Sequence, residues 1–377
     1  QETYRGCTWF MPRNPDDKYY VKNSMDTLSK AHKAIAIILF KLEGQLILRH
    51  PEYHMEHRLI FRDIHFDRHT VCLNGVEYPL NDCHFPTVNP ADPYALSPGE
   101  QLLMQNLLHA FRHSVALRRH MDFLYSNGSI YKIHNKNLMF HGCIPMNEDG
   151  TFTQVTLFGE ENPVSGRAYL DRCDHMARLA YQTADPSALD FMYYLWCGKH
   201  SPLFGRDRMT TFERYFISDP STWKEHKDPY YRYTESFDAV CRILREFGLD
   251  GKESHIINGH VPVRVGKGEH PVKAGGRYIL IDGGFCKAYH EQTGIAGYTL
   301  IYSSRGLRLV SHEPFAGKMA AIRENRDIVA AEDVVFELMQ KRMLVQDTDS
   351  GRDISEHLAD LKMLLDSYLS GTIVPER

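Results

Sequence analysis

Apolar residues recur at helical spacing after Ser24, at Leu28, Ala31, Ile35, Ile38 and Leu42. That pattern predicts an amphipathic helix from Ser24 to about Glu43, with Ser24 as its cap and Gly44 as its end. Asn74-Gly75 lies between two β-prone runs in residues 70–80 and predicts a hairpin. Ser97-Pro98-Gly99-Glu100 combines a cap, a proline and an acid, which opens a long helix running to about Tyr125 and breaking at Asn127-Gly128. From residue 130 the texture changes. Residues 130–142 predict a strand pair and 153–159 a further extended run. Residues 165–183 and 187–198 predict helices, and 254–263, 275–285 and 297–315 predict strands between glycine-rich turns. The tail from Asp327 to about Leu369 predicts polar-faced helix, interrupted at 347–351.

Three strands in the second half share one design, an apolar body followed by a polar residue beside glycine. They are Asn137-Leu-Met-Phe-His141-Gly142, His255-Ile-Ile-Asn258-Gly259-His260 and Tyr278-Ile-Leu-Ile-Asp282-Gly283. Ligands gather outside the carboxyl ends of strands, and glycine lets backbone pass close to them. A neutral imidazole held there is a good metal ligand. The plain alternative for each histidine is a ring satisfied by a nearby carbonyl at a loop entry.

The bulk numbers narrow the classes. The chain has 377 residues, 43% of them apolar and 24% charged, with a formal net charge of −4. These are soluble-globular values, and no basic stripe marks a nucleic-acid binder. The longest apolar run, residues 34–40, is too short to span a bilayer. Eight cysteines without CxxC pairs read as reduced, cytoplasmic thiols.

The strings around these strand ends carry a resemblance. Residues 138–145, with His141-Gly142 and Pro145, and residues 257–263, with Gly259-His260 and Pro262, resemble the His-Gly and Gly-His elements of calcineurin-like metallophosphoesterases. The longer strings at 31–52, 131–152, 201–217, 281–304 and 306–315 resemble class III, bacterial fructose-1,6-bisphosphatases. The resemblance implies an α/β (α+β) chain with a two-sheet β-sandwich flanked by helices. It also implies a dinuclear metal centre, usually manganese, that hydrolyses the 1-phosphate of fructose 1,6-bisphosphate in gluconeogenesis. By motif position, His141 and His260 would bind metal.

The superfamily's earlier Asp-x-His, Gly-Asp-x-x-Asp-Arg-Gly and Gly-Asn-His elements are not found in convincing form. Asp63-Ile64-His65 imitates the first, yet no apolar strand precedes it, and it reads as a charged surface strand or turn. The resulting expectation is the C-terminal part of a longer enzyme, inactive alone, with no catalytic residue of its own identified. Residues 1–128 would be a mainly helical insertion or cap, 129–326 the sandwich half and 327–377 a helical tail. Lys199 and Arg206, in a glycine-containing loop after a helix, are candidate phosphate ligands. Arg264 and Lys287, close after strand ends, are weaker ones. His312 reads as a structural hydrogen-bonding group and Cys143 as a bystander. The expected partner is a small sugar bisphosphate, with no nucleic acid and no membrane; a homo-oligomer stays open. So do two other readings, another calcineurin-like hydrolase (protein phosphatase or dinucleotide hydrolase) and a non-catalytic remnant.

Overall fold

The computed structural model describes residues 10, 25–156, 162–264, 267–282, 284, 297–312, 317–325, 330–339 and 341–374, with the backbone alone for 330–338. It is mixed α/β and divides into two compact units, residues 1–129 with 152–228, and residues 130–151 with 229–377.

The first unit contains α1 (Met25–Arg49), β1 (Ile64–His65), β2 (Thr70–Leu73), β3 (Val76–Pro79), α2 (Pro98–Arg112), α3 (Val115–Asn127), α4 (Gly166–Thr183), α5 (Pro186–Cys197) and α6 (Thr211–Phe216). The hairpin at Asn74-Gly75 forms as expected, with β2 pairing antiparallel to β3. The Asp63 stretch is a tight turn leading into β1, and its carboxylate sits 3.8 Å from the neighbouring Arg62.

α1 departs from expectation twice. It runs through Gly44 to Arg49, and the Tyr94 ring packs where a side chain at 44 would lie: a Cβ there would stand 2.0 Å from Tyr94 Cδ1. Its buried face is also rotated from the apolar stripe. Ile35 is 42% exposed, while Lys33, Lys41 and Glu43 are buried. Each of these charges has a partner. Lys33 pairs with Asp82 and donates to the His84 carbonyl. Lys41 Nζ lies 2.8 Å from Glu100 Oε2 and donates to the Thr87 carbonyl. Glu43 Oε1 accepts from Arg58 Nη2 at 2.7 Å. Buried charges persist only when paired and hydrogen-bonded, and these pairs decide which face turns inward.

The helix opened by Ser97 carries the capping box with Glu100. It does not reach Tyr125 unbroken. Ser114 is extended and its hydroxyl accepts from Leu117 N–H, so a new cap restarts the chain as α3. Of the run at 153–159, Val155 makes an isolated bridge to Val164, and 157–161 lie outside the described residues.

The second unit contains β4 (Tyr131–His134), β5 (Asn137–Phe140), α7 (Tyr230–Tyr233), α8 (Phe237–Glu246), β6 (His255–Asn258), β7 (Val272–Lys273), β8 (Tyr278–Leu280), β9 (Gly297–Ser303), β10 (Gly306–His312), α9 (Lys318–Glu324), β11 (Ala330–Leu338) and α10 (Asp349–Leu369). Five strands form a sheet in the order β4-β5-β6-β8-β7, and three form another in the order β11-β10-β9. β5, β6 and β8 are parallel neighbours, with β4 and β7 antiparallel at the edges. The two sheets pack face to face: Ile279, Leu307 and Leu309 are buried against Ile257, Val272, Ile281, Tyr298, Leu300 and Tyr302. Side chains alternate across a strand. α8 has an inward face of Ala239, Val240, Ile243 and Leu244.

Residues 330–338, expected as helix, are strand. They pair antiparallel with β10, and the run at Val334-Val335-Phe336 suits a pleated surface better than a helix. An available ladder overrides weak helix propensity.

Two outcomes follow from α1. Gly44→Ala gains about 1 kcal/mol in helix propensity but collides with Tyr94, and overpacking of this kind costs about 1–3 kcal/mol; the melting temperature should fall. Glu100 is held below its ordinary value of 4.5: burial pushes it up, but bonds from Lys41, Thr87 and the Ser97 N–H outweigh that. Because the folded value is the lower one, its stabilising contribution is complete above pH 4.5 and is lost as pH falls through the folded value. Glu100→Gln should remove that part of the acid dependence in urea titrations, and an unchanged acid limb would contradict it.

Candidate metal centre

The parallel register sets the site. Phe140 lies opposite Asn258, and Asn258 opposite Leu280, so β5, β6 and β8 end side by side. His141 follows the first, Gly259-His260 the second and Asp282 the third. The three polar strand ends are thus the ends of three adjacent parallel strands.

Asn258 ties them together. It is 1% exposed. Its Nδ2 donates to the Phe140 and Gly142 carbonyls, both at 3.0 Å, straddling His141. Its Oδ1 accepts from the Tyr278 hydroxyl at 2.9 Å. The Tyr230 hydroxyl in turn faces Tyr278 at 3.4 Å. Burial pushes both phenols well above their ordinary values, so they stay neutral donors. The exits are joined as well: Ile281 N–H donates to the Asn258 carbonyl and Val263 N–H to the Asp282 carbonyl, each at 3.0 Å.

On this frame His141 Nε2 lies 3.3 Å from His260 Nδ1, with the rings edge to face at 85°. His260 has φ +69°, a left-handed conformation uncommon outside glycine. Gly259 lets the strand turn beneath the His141 ring, since a Cβ there would stand 3.1 Å from His141 Nδ1. The spacing is that of a ring-to-ring hydrogen bond, and it is also close to the separation of two nitrogens that would share one cation. Among the described residues, no group of three or more His, Cys, Asp or Glu side chains could hold an ion. Asp282 turns one carboxylate oxygen back to the Gly284 N–H at 2.9 Å.

Of the other sequence-derived candidates, Arg206, Arg264 and His312 have their own local partners. Lys199 and Arg206 belong to the first unit. Arg206 Nη1 pairs with Glu225 Oε2 at 2.6 Å. Glu225 is held below the ordinary carboxylate range: burial opposes ionisation, but the Thr210 bonds and the Arg206 and Arg214 charges outweigh it. Arg264 grips Glu269 through its backbone N–H, Nε and Nη2 at 2.9–3.0 Å. Lys287 lies outside the described residues. His312 Nε2 sits 2.7 Å from Thr299 Oγ1 within the β9–β10 hairpin, a structural bond. Sequence reasoning marked Asn258 as a polar residue closing an apolar strand before Gly-His, but gave it no role of its own.

The arrangement is that of a mixed α/β protein with a pair of imidazoles presented at the ends of parallel strands, suited to a divalent cation. The sequence profile described as Firmicute fructose-1,6-bisphosphatase matches residues 1–370, and the chain belongs to that family. Curated relatives carry the name fructose-1,6-bisphosphatase class 3. That of Clostridium novyi (strain NT) is 48% identical over 372 residues, covering 97% of this chain and 55% of the relative. That of Clostridium acetobutylicum is 49% identical over 97% of this chain and 56% of the relative. That of Listeria innocua serovar 6a is 46% identical, with the same two shares. The chain spans about half the length of the curated relatives it matches. No solved structure matches.

Asn258→Leu strands two buried carbonyls and a phenol. We expect a loss of about 2–4 kcal/mol in urea unfolding, from about 1–3 kcal/mol per unsatisfied buried group with partial relaxation. A loss below 0.5 kcal/mol, outside that range, would show that the strand ends hold without it.

Proposed function

We propose that this chain serves the hydrolysis of fructose 1,6-bisphosphate to fructose 6-phosphate and phosphate, a step of gluconeogenesis, at a manganese-type dinuclear centre in a cytoplasmic setting. The single observation that carries the reading is the pair His141 and His260, 3.3 Å apart at adjoining strand ends, in a chain of the fructose-1,6-bisphosphatase family. Among the described residues no helix is long and apolar enough to cross a membrane.

His141 Nε2 and His260 Nδ1 would hold the cation. When bound, such ions activate water and neutralise phosphoryl charge. The chain's own residues do the positioning. Asn258 fixes the carbonyls on either side of His141, Gly259 permits the close approach, and the left-handed turn at His260 aims its ring across β5. Imidazole must be deprotonated to ligate, so acid should weaken the site. A dinuclear centre takes more donors than two imidazoles, with carboxylates favoured by harder ions. Turnover therefore calls for carboxylates beyond this pair; among the described residues none completes such a group, and the chain alone is expected to be inactive.

The test measures phosphate release from fructose 1,6-bisphosphate with Mn2+. The chain alone should show none. Adding the part of the Clostridium novyi relative that the alignment leaves uncovered should restore it, and His141→Ala or His260→Ala should abolish the restored activity. No turnover in any combination would sink the functional reading. Robust turnover by the chain alone would instead sink the need for further donors. Independently, Mn2+ or Co2+ titration by calorimetry should show binding that either substitution removes; retained binding in both would place the cation elsewhere.

A further inference from the structure

The opposite ends of the same parallel strands line a second depression. A cleft of about 880 Å³ opens where β5 and β6 begin, beside Lys136, Lys252 and His255, and is closed by Tyr302, residues after β11 and the first turn of α10. That volume suits a small organic ligand.

Its charges do not cancel. Five cations, Lys136, Lys252, Lys341, Arg342 and Arg352, line it with three carboxylates, Glu253, Asp347 and Asp349. Each carboxylate has a structural task. Glu253 takes Lys136 at 2.8 Å. Asp349 takes Arg352 at 3.3 Å and accepts from the Asn135 N–H. Asp347 accepts from the Leu344 N–H. No described carboxylate lies within ion-pair reach of Lys252, Lys341 or Arg342; Arg342 Nε makes only a 3.4 Å contact to Ser304 Oγ. The helix terminus adds little. The Asp349 and Gly351 N–H groups are already bonded, to Asn135 Oδ1 and Thr348 Oγ1.

The remaining wall is part polar, with Asn135, Gln346, Thr348 and Ser355, and part apolar. Tyr302, Met339 and Met343 are half-buried, and the Tyr302 hydroxyl sits 3.2 Å from Met343 Sδ. Beneath them His255 is locked: Arg277 Nη1 lies 3.0 Å from Nε2, and Asn137 Oδ1 lies 3.2 Å from Nδ1. Arginine can only donate, so Nε2 accepts and Nδ1–H donates. The floor is therefore rigid, with a guanidinium behind it.

We infer that this cleft binds a small organic phosphate, its phosphate on Lys252, Lys341 and Arg342 and its apolar part against Tyr302, Met339 and Met343. Point-charge lysines and a forked guanidinium suit phosphate oxygens, and thioethers adapt to varied apolar shapes. The inference does not depend on the proposed hydrolysis, because His141 and His260 take no part in it.

Calorimetry of the full chain in EDTA tests it, with phenyl phosphate and inorganic phosphate as probes. Phenyl phosphate should bind one to one and more tightly than inorganic phosphate. The double substitution Lys341→Glu with Arg342→Glu should weaken it at least about tenfold, since charge-assisted bonds to phosphate are lost. His141→Ala with His260→Ala should leave it unchanged. Lys252→Glu, at an exposed position, should also weaken binding and decides the matter if the double variant melts early. Absence of saturable phenyl phosphate binding, binding that survives charge reversal, or binding lost with the two histidines would each overturn the inference.

Discussion

The second unit depends on one buried amide. Asn258 sits at the end of the middle strand of three, and its side chain reaches both neighbours: two carbonyls flanking His141 on one side, a buried phenol on the other. Parallel strands carry no turn to hold their ends in register, since the connections between them are long. A side chain that bonds across the ends does what a hairpin does in an antiparallel pair. The full desolvation cost of an unmet buried amide also makes the arrangement unforgiving. The imidazoles of His141 and His260 face each other on a backbone that Asn258 bonds across.

The same rule governs the first unit. α1 has an apolar stripe, but the helix buries a face that includes Lys33, Lys41 and Glu43. Each charge meets a partner supplied by a segment distant in sequence, Asp82, Glu100 and Arg58. Hydrophobic patterning alone would have turned Ile35 inward. Placement of matched charges, together with the Tyr94 ring lying on Gly44, decided otherwise.

The parallel strands also separate two chemistries. Their carboxyl ends present the imidazoles of His141 and His260. Their amino ends lie beside lysines and arginines whose neighbouring carboxylates are committed to local structure. The two ends of one short sheet thus differ in the side chains they present.

Much of this was legible in the residues. The Asn74-Gly75 hairpin, the Ser97 capping box, helices α4 and α5, the strand pair before His141 and the Gly-His turn all follow from local rules of dihedral preference and capping. The family resemblance was legible too, because it lives in contiguous strings such as the one around His141-Gly142. Four things were not. The break at Ser114 and the strand at 330–338 are contests between near-equal local options, settled by a competing hydroxyl and by an unpaired β10 edge. The inward face of α1 rests on partners 15 to 59 residues away. The role of Asn258 rests on a phenol and two carbonyls brought together by parallel pairing. Sequence alone determined which residues end the strands and what chemistry their side chains offer. Only the tertiary structure decided which ends adjoin and which charges meet, because both are set by long-range pairing that no local preference encodes.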